Sequence, residues 1–140
     1  MKIFIVEDSE LMKTRITNAV NRVVGAQVSG HARDIKSAYS SICELCPDVL
    51  VIDFQLRNGS GLTLIKKLKN ERPELRVIVL SNSSSSQYRH AAFLAGADCF
   101  LDKSTEFGQF AGVLANWLPQ PFTTCPQSAS ASPSSPSVQR

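Results

Sequence analysis

No apolar run in this sequence approaches the roughly 20 residues that a membrane-spanning helix needs. The first one, Ile3–Val6, stops at Glu7 and Asp8, too soon for the apolar region of a secretion signal. Cysteine is scarce and unevenly spaced (Cys43, Cys46, Cys99 and Cys125), which fits reduced thiols better than a disulfide framework. Charge of one sign is also missing. Fifteen basic residues against 12 acidic ones leave a formal net charge of +3, with no basic block or stripe of the kind that tracks nucleic acid. A chain of 140 residues has no room for a catalytic domain plus a separate output domain of ordinary size. What it does have is 43% hydrophobic residues, enough for one real core. The expectation is a soluble cytoplasmic protein with no membrane insertion and no direct contact with nucleic acid.

Composition changes abruptly after Trp117 and Leu118. Residues 119–140 hold five of the seven prolines and one charged residue, and such a segment offers too little apolar surface to offset the entropy of ordering it. The expected organisation is a folded domain over residues 1–118 and a disordered Ser/Pro-rich tail over 119–140.

Within residues 1–118 the apolar pattern alternates between two kinds. Lys2–Val6 reads as a strand, followed by a helix from Ser9 to about Val23. Gln27–His31 is a weak strand, and Asp34 caps a helix through Leu45 that Pro47 stops. Val49–Ile52 is a continuous apolar run ending at Asp53, the mark of a strand buried on both faces. Arg57–Gly61 reads as a loop, and Leu62, Leu64, Ile65 and Leu68 make a helical stripe to about Arg72. Val77–Leu80 is a second buried strand, ending at Ser81. A helix over about Ser85–Ala95 stops at Gly96, Asp98–Leu101 is a short strand, and Thr105–Leu118 a final helix. Five strands alternating with five helices predict an α/β fold, a five-stranded parallel sheet covered by helices on both faces.

In such sheets the working residues stand beyond the carboxyl ends of the strands. Glu7 and Asp8 follow the first strand, Asp53 the third, Ser81 the fourth and Lys103 the fifth. Three carboxylates brought together raise one another's pKa unless a cation joins them. A hard dication such as Mg²⁺ takes oxygen ligands and bridges carboxylates to phosphoryl oxygens. Asp53 is then the candidate nucleophile, because a carboxylate can form an acyl phosphate, with Lys103 and Ser81 holding the phosphoryl group.

Residues 1–118 resemble a CheY-like response-regulator receiver domain, a flavodoxin-like (βα)5 fold. The resemblance rests on Glu7-Asp8, Asp53 ending VLVID, Gly61, Ser81 ending VIVLS, and GADCFLDK with Lys103. It implies a stand-alone response regulator, not an enzyme with a separate substrate, that accepts a phosphoryl group on Asp53. The donor is a histidine kinase or a histidine phosphotransfer protein, and the cofactor is Mg²⁺. Asp8 and Asp53 would bind the metal directly, Glu7 through water and Gln55 through its backbone carbonyl. Ser81 and Phe100 would be the switch residues, acting on a downstream effector through the fourth helix, fifth strand and fifth helix. On that face Tyr88, Arg89, Gln109 and Phe110 are the candidate contacts. The alternatives are an interaction module of the same fold that works without phosphorylation, or a truncated relative of helix-turn-helix regulators.

Three positions depart from the family pattern. Arg57 and Ser104 stand where proline is common, and Asn82 stands where a small residue is usual. Other reactions fit less well. The first strand is not followed by a Gly-rich turn, which argues against dinucleotide binding, and Gln55 stands where haloacid-dehalogenase-type phosphatases carry a second Asp. Cys43 and Cys46 are expected to be buried structural thiols on a helix. Lys66, Lys67, Lys69 and Arg72 are expected to form a solvated face, and His31 and His90 have no companions that suggest a metal.

Overall fold

Short apolar runs that end in polar residues become the strands of one parallel sheet. The computed structural model describes residues 1–56, 59–83 and 85–118, and the tail assigned to 119–140 lies outside the described residues. The strands are β1 (Lys2–Val6), β2 (Gln27–Ala32), β3 (Val49–Asp53), β4 (Arg76–Ser81) and β5 (Cys99–Asp102). They lie in the order β2-β1-β3-β4-β5, every pair parallel. The helices are α1 (Glu10–Asn21), α2 (Ile35–Leu45), α3 (Gly61–Glu71), α4 (Ser86–Ala95) and α5 (Phe110–Trp117).

Alternate residues of the central strands face opposite layers, as the two-residue strand period requires. Phe4, Val6, Leu50, Ile52, Val77 and Val79 pack with Ile42 of α2, Leu64, Ile65 and Leu68 of α3, and Ala92 of α4. Ile3, Ile5, Val49, Val51, Ile78 and Leu80 pack with Met12, Ile16 and Val20 of α1, and with Phe110 and Leu114 of α5. This is the flavodoxin-like (βα)5 fold. The strand order reverses between β1 and β3, which opens a crevice at their carboxyl ends.

Local chemistry sets the helix ends. The hydroxyl of Ser9 accepts from Met12 N at 3.3 Å, and Asp34 accepts from Ser37 N at 2.9 Å, each satisfying an orphan amide of a first helical turn. Gly96 closes α4 at φ 117°, a conformation that glycine adopts without strain.

Several expectations shift. The first helix stops at Asn21 rather than Val23, and β5 begins one residue later than its apolar pattern suggests. Gln55–Leu56 pairs antiparallel with Gly59–Ser60 where a loop was expected, and Gly61 already opens α3. Arg57 lies outside the described residues. The last helix starts at Phe110 rather than Thr105, because a turn held by Asp102 and a short 3-10 segment, Phe107–Gln109, occupy the intervening chain. That change of phase turns Phe110 fully inward, so it is core and not a contact residue. Cys43 and Cys46 are exposed rather than buried, because α2 turns Ala38 and Ile42 to the sheet instead. In the basic run only Lys66 and Lys67 are exposed, and Lys67 Nζ lies 4.2 Å from the centre of the Tyr39 ring. Lys69 reaches Leu75 O at 2.7 Å and Asp98, while Arg72 reaches Pro47 O at 3.1 Å.

Candidate functional site

Glu7, Asp8, Asp53, Ser81 and Lys103 gather at the carboxyl edge of the sheet, each carried there by the end of its strand. Asp53 pairs in register with Leu80, so Ser81 stands one residue beyond it on β4, and Ser81 pairs with Asp102, the residue before Lys103. Glu7, Asp8 and Asp53 each offer a carboxylate oxygen, and these oxygens lie within 4.8 Å of one another. Glu7 is 2% exposed, Asp53 7% and Lys103 8%, while Asp8 is half-buried.

Lys103 Nζ lies 3.0 Å from Glu7 Oε1 and 3.2 Å from Asp53 Oδ2. One ammonium is therefore shared by two buried carboxylates. Burial, and then the charge of Asp53, push the Glu7 carboxyl above its ordinary value, while Lys103 pulls the other way. Glu7 Oε1 meets Lys103 as an ion pair by distance but accepts no well-aligned hydrogen bond, so it keeps unused acceptor capacity. Its other oxygen is taken by Ser9 N at 3.1 Å. The donor set is all oxygen, partly unsatisfied and net negative, and it fits a hard divalent cation.

Backbone contacts orient the side chains of this cluster. Asp53 Oδ1 accepts from Gln55 N at 3.1 Å, which orients the carboxylate. Gly61 lies so close behind it that a Cβ there would sit 2.9 Å from Asp53 O. Ser81 Oγ accepts from Ser83 N at 3.0 Å, leaving its own proton to be donated. Asn82 is exposed and, with Leu11, Arg15, Lys103 and Ser104, lines a cavity of about 260 Å³ beside the cluster.

In the loop after β5, Ser104 rather than proline follows Lys103. No cis peptide occurs among the described residues, so Lys103–Ser104 is trans. Asp102 Oδ1 accepts from Ser104 N at 2.8 Å, from Ser104 Oγ at 2.6 Å and from Thr105 N at 3.1 Å. Sequence reasoning missed Asp102, although an Asp followed two and three residues later by Ser and Thr is the spacing of a side-chain-capped turn.

Phe100 is 3% exposed, its ring edge-on to Phe54 at 6.3 Å, and Phe54 in turn packs on Tyr88 at 4.8 Å. Among the other named surface residues, Tyr88 and Arg89 are half-buried and Gln109 is exposed. Phe93 and Leu94 of α4, 48% and 72% exposed, are apolar surface that the sequence did not single out. No helix among the described residues is long and apolar enough to cross a membrane.

Comparison with known proteins gives a consistent family. The response regulator receiver domain matches residues 3–114. The chain is 29% identical over 103 residues to the DNA-binding transcriptional activator DevR/DosR of Mycobacterium tuberculosis, covering 74% of this chain and 48% of that protein. It is 35% identical over 82 residues to protein-glutamate methylesterase/protein-glutamine glutaminase 3 of Vibrio cholerae, covering 59% of this chain and 22% of that one. A LuxR-family two-component response regulator from Aurantimonas superposes with a TM-score of 0.77 at 23% identity, covering 82% of each chain. The response regulator domain of Thermotoga maritima CheB superposes with a TM-score of 0.72 at 26% identity, covering 83% of this chain and 91% of that one. The chain thus spans about half the length, or less, of these curated relatives.

Proposed function

The chain belongs to the response regulator receiver domain family, and from that premise we propose that it is a phosphorylation-controlled switch of a cytoplasmic two-component phosphorelay. Asp53 accepts a phosphoryl group from a histidine kinase or histidine phosphotransfer protein. The observation that carries this reading is the buried Asp53 carboxylate facing Lys103, with Glu7 and Asp8 alongside.

The residues divide the work by position. A carboxylate oxygen of Asp53 forms a bond to phosphorus as the phosphorus–nitrogen bond to the donor histidine breaks, and the imidazole leaves with the electron pair. Lys103 offers its ammonium to a phosphoryl oxygen once that oxygen arrives, and the Ser81 hydroxyl donates to another. Asp8, Asp53 and the Gln55 backbone carbonyl would hold Mg²⁺, with Glu7 reaching it through water. The ion supplies the positive charge that lets an anionic donor approach three carboxylates. The protein modifies only itself, so its output is binding rather than turnover of a separate substrate.

The output face is α4, β5 and α5, where Tyr88, Arg89 and Gln109 stand with the exposed Phe93 and Leu94. A second reading keeps the same fold and the same face as an interaction module that works without phosphorylation. Incubation with a small acyl phosphate and Mg²⁺, followed by intact mass spectrometry, tests the first reading. One added phosphoryl group is expected, lost with Asp53→Asn or a chelator. Labelling that survives either treatment overturns the assignment.

A further inference from the structure

Residues 102–106 close a ring of hydrogen bonds around the residue that carries the ammonium of the site. Asp102 Oδ1 accepts from Ser104 N at 2.8 Å, from Ser104 Oγ at 2.6 Å and from Thr105 N at 3.1 Å. In the other direction Glu106 Oε1 accepts from Asp102 N at 2.9 Å, and Asp102 O accepts from Glu106 N at 2.9 Å. The two carboxylates thus hold amides at each other's end of the turn, the reciprocal arrangement of a capping box. Here the box is followed by the short 3-10 segment rather than by a long helix. Arg89 braces it from outside. Its guanidinium pairs with Glu106, donates to Phe100 O at 3.2 Å and lies 4.9 Å from the centre of the Phe100 ring.

Lys103 is the second residue of this box. Its own amide donates to Ser81 O at 2.8 Å, which ties it to the end of β4, and Asp102 holds the amide of the next residue. The backbone of Lys103 is therefore fixed on both sides. From there its ammonium reaches Glu7 at 3.0 Å and Asp53 at 3.2 Å. The long, flexible stem of a lysine magnifies any misplacement of the backbone that carries it. We infer that Asp102, with Glu106 closing the box, is a positioning residue whose carboxylate holds the turn that aims Lys103 at Asp53. Ser104 belongs to the same device, because a proline in its place has no amide to give to Asp102. The trans Lys103–Ser104 peptide is the geometry that the box holds. This positioning bears on rate through the proposed role of Lys103 toward a phosphoryl oxygen, whereas the aim of the side chain can be read without that step.

The test compares full-length wild type with Asp102→Ala, Asp102→Asn and Ser104→Pro at a temperature where circular dichroism shows each of them folded. The first measurement is acetylation of Lys103 by limiting acetic anhydride in the presence of a chelator, read by peptide mass spectrometry against the exposed Lys66. In wild type Lys103 is buried and paired twice, and it is expected to react far more slowly than Lys66. Asp102→Ala and Ser104→Pro are expected to raise the ratio of Lys103 to Lys66 acetylation several-fold. Asp102→Asn keeps an oxygen that accepts the same amides, more weakly, and is expected to stay near wild type. The second measurement is the rate of Asp53 labelling by a small acyl phosphate at saturating Mg²⁺. Misplacing a group at the reacting centre by an ångström costs up to about a hundredfold, so Asp102→Ala and Ser104→Pro are expected to label roughly tenfold to a hundredfold more slowly.

An acetylation ratio unchanged in the folded disrupting variants overturns the positioning. So does an Asp102→Asn protein as reactive as Asp102→Ala, because the effect then follows the lost charge and not the held turn. Should Asp102→Ala not fold, Ser104→Pro carries the same comparison with the carboxylate in place. Wild type that takes no label refutes phosphoryl transfer and leaves the acetylation ratios to judge the box. Unchanged ratios with normal labelling refute the box alone, so the two readings fail separately.

Discussion

Replacing Lys103 with methionine removes the ammonium shared by Glu7 and Asp53 while roughly keeping the length and apolar packing of the side chain. Both carboxylates are more than nine-tenths buried, so their charges lose a partner at 3.0 and 3.2 Å in a place where water compensates poorly. Breaking a buried ion pair from one side costs about 3–5 kcal/mol, and the cavity beside Lys103 places this site at the lower end. A loss of about 3 kcal/mol in a domain of this size lowers Tm by roughly 12 °C. Thermal unfolding followed by circular dichroism in the presence of a chelator reads that gap directly. Two conditions should narrow it. Mg²⁺ returns positive charge to the carboxylates. Mild acid does so differently, because the raised Glu7 carboxyl penalises the fold fully at neutral pH and releases that penalty as pH falls through its folded value toward 4.5. A gap that is the same with and without Mg²⁺, and the same in mild acid, would mean that lost packing rather than unpaired charge sets the cost.

Gly61→Ala is expected to destabilise by roughly 1–3 kcal/mol and to slow labelling of Asp53, because the added methyl meets Asp53 O at 2.9 Å and Ile52 Cδ1 at 3.0 Å. Gly112→Ala in α5 has open space around the new methyl and should hold or raise Tm in the same melting assay, which separates crowding at Asp53 from a general effect of losing glycine. Asp34→Ala removes the cap of α2 and should lower Tm at neutral pH. The amide and then the hydroxyl of Ser37 hold the Asp34 carboxyl below its ordinary 3.8, so its contribution is present above that value and disappears as pH falls through the folded one. Melting curves of the two proteins should therefore converge in strong acid, and a constant separation would rule out the carboxylate as the source.

The parts of the fold that were legible in the sequence are those set by short-range chemistry. Ile3–Val6, Val49–Ile52 and Val77–Leu80 are apolar without interruption because both faces of the central strands are covered, and such runs can be read without knowing what covers them. Asp34, Ser85 and Gly96 mark helix ends through contacts within three or four residues. The rim residues were legible for a related reason, since each directly follows a strand and the parallel topology then brings them together. What failed was phase and distance. Phe110 was misplaced because the Asp102 turn delays the last helix and rotates its faces. The exposure of Cys43 was misread because the apolar stripe of α2 is carried by Ala38 and Ile42. The contact between Arg89 and Glu106 joins α4 to a loop 17 residues away, and no local pattern announces it.

Charge divides the molecule between the rim and the α4 end. At the rim three carboxylates face one ammonium, a formal excess of two negative charges that Lys103 cannot cancel, because it is already shared. A dication cancels that excess. Turning Asp53 into an acyl phosphate exchanges one negative charge for about two, which a rim without the dication would have to carry on top of the existing excess. On the proposed function, dication binding and phosphorylation would therefore favour each other, by the same factor in both directions. Over Phe100 the charges already balance, one guanidinium against one carboxylate, each tied to backbone. A perturbation at the rim should accordingly be sensitive to divalent ions, and one at the Arg89–Glu106 pair should not. A protein in which Mg²⁺ alone freed or buried Phe100, while leaving the stability of the Lys103 variant unchanged, would have that division the wrong way round.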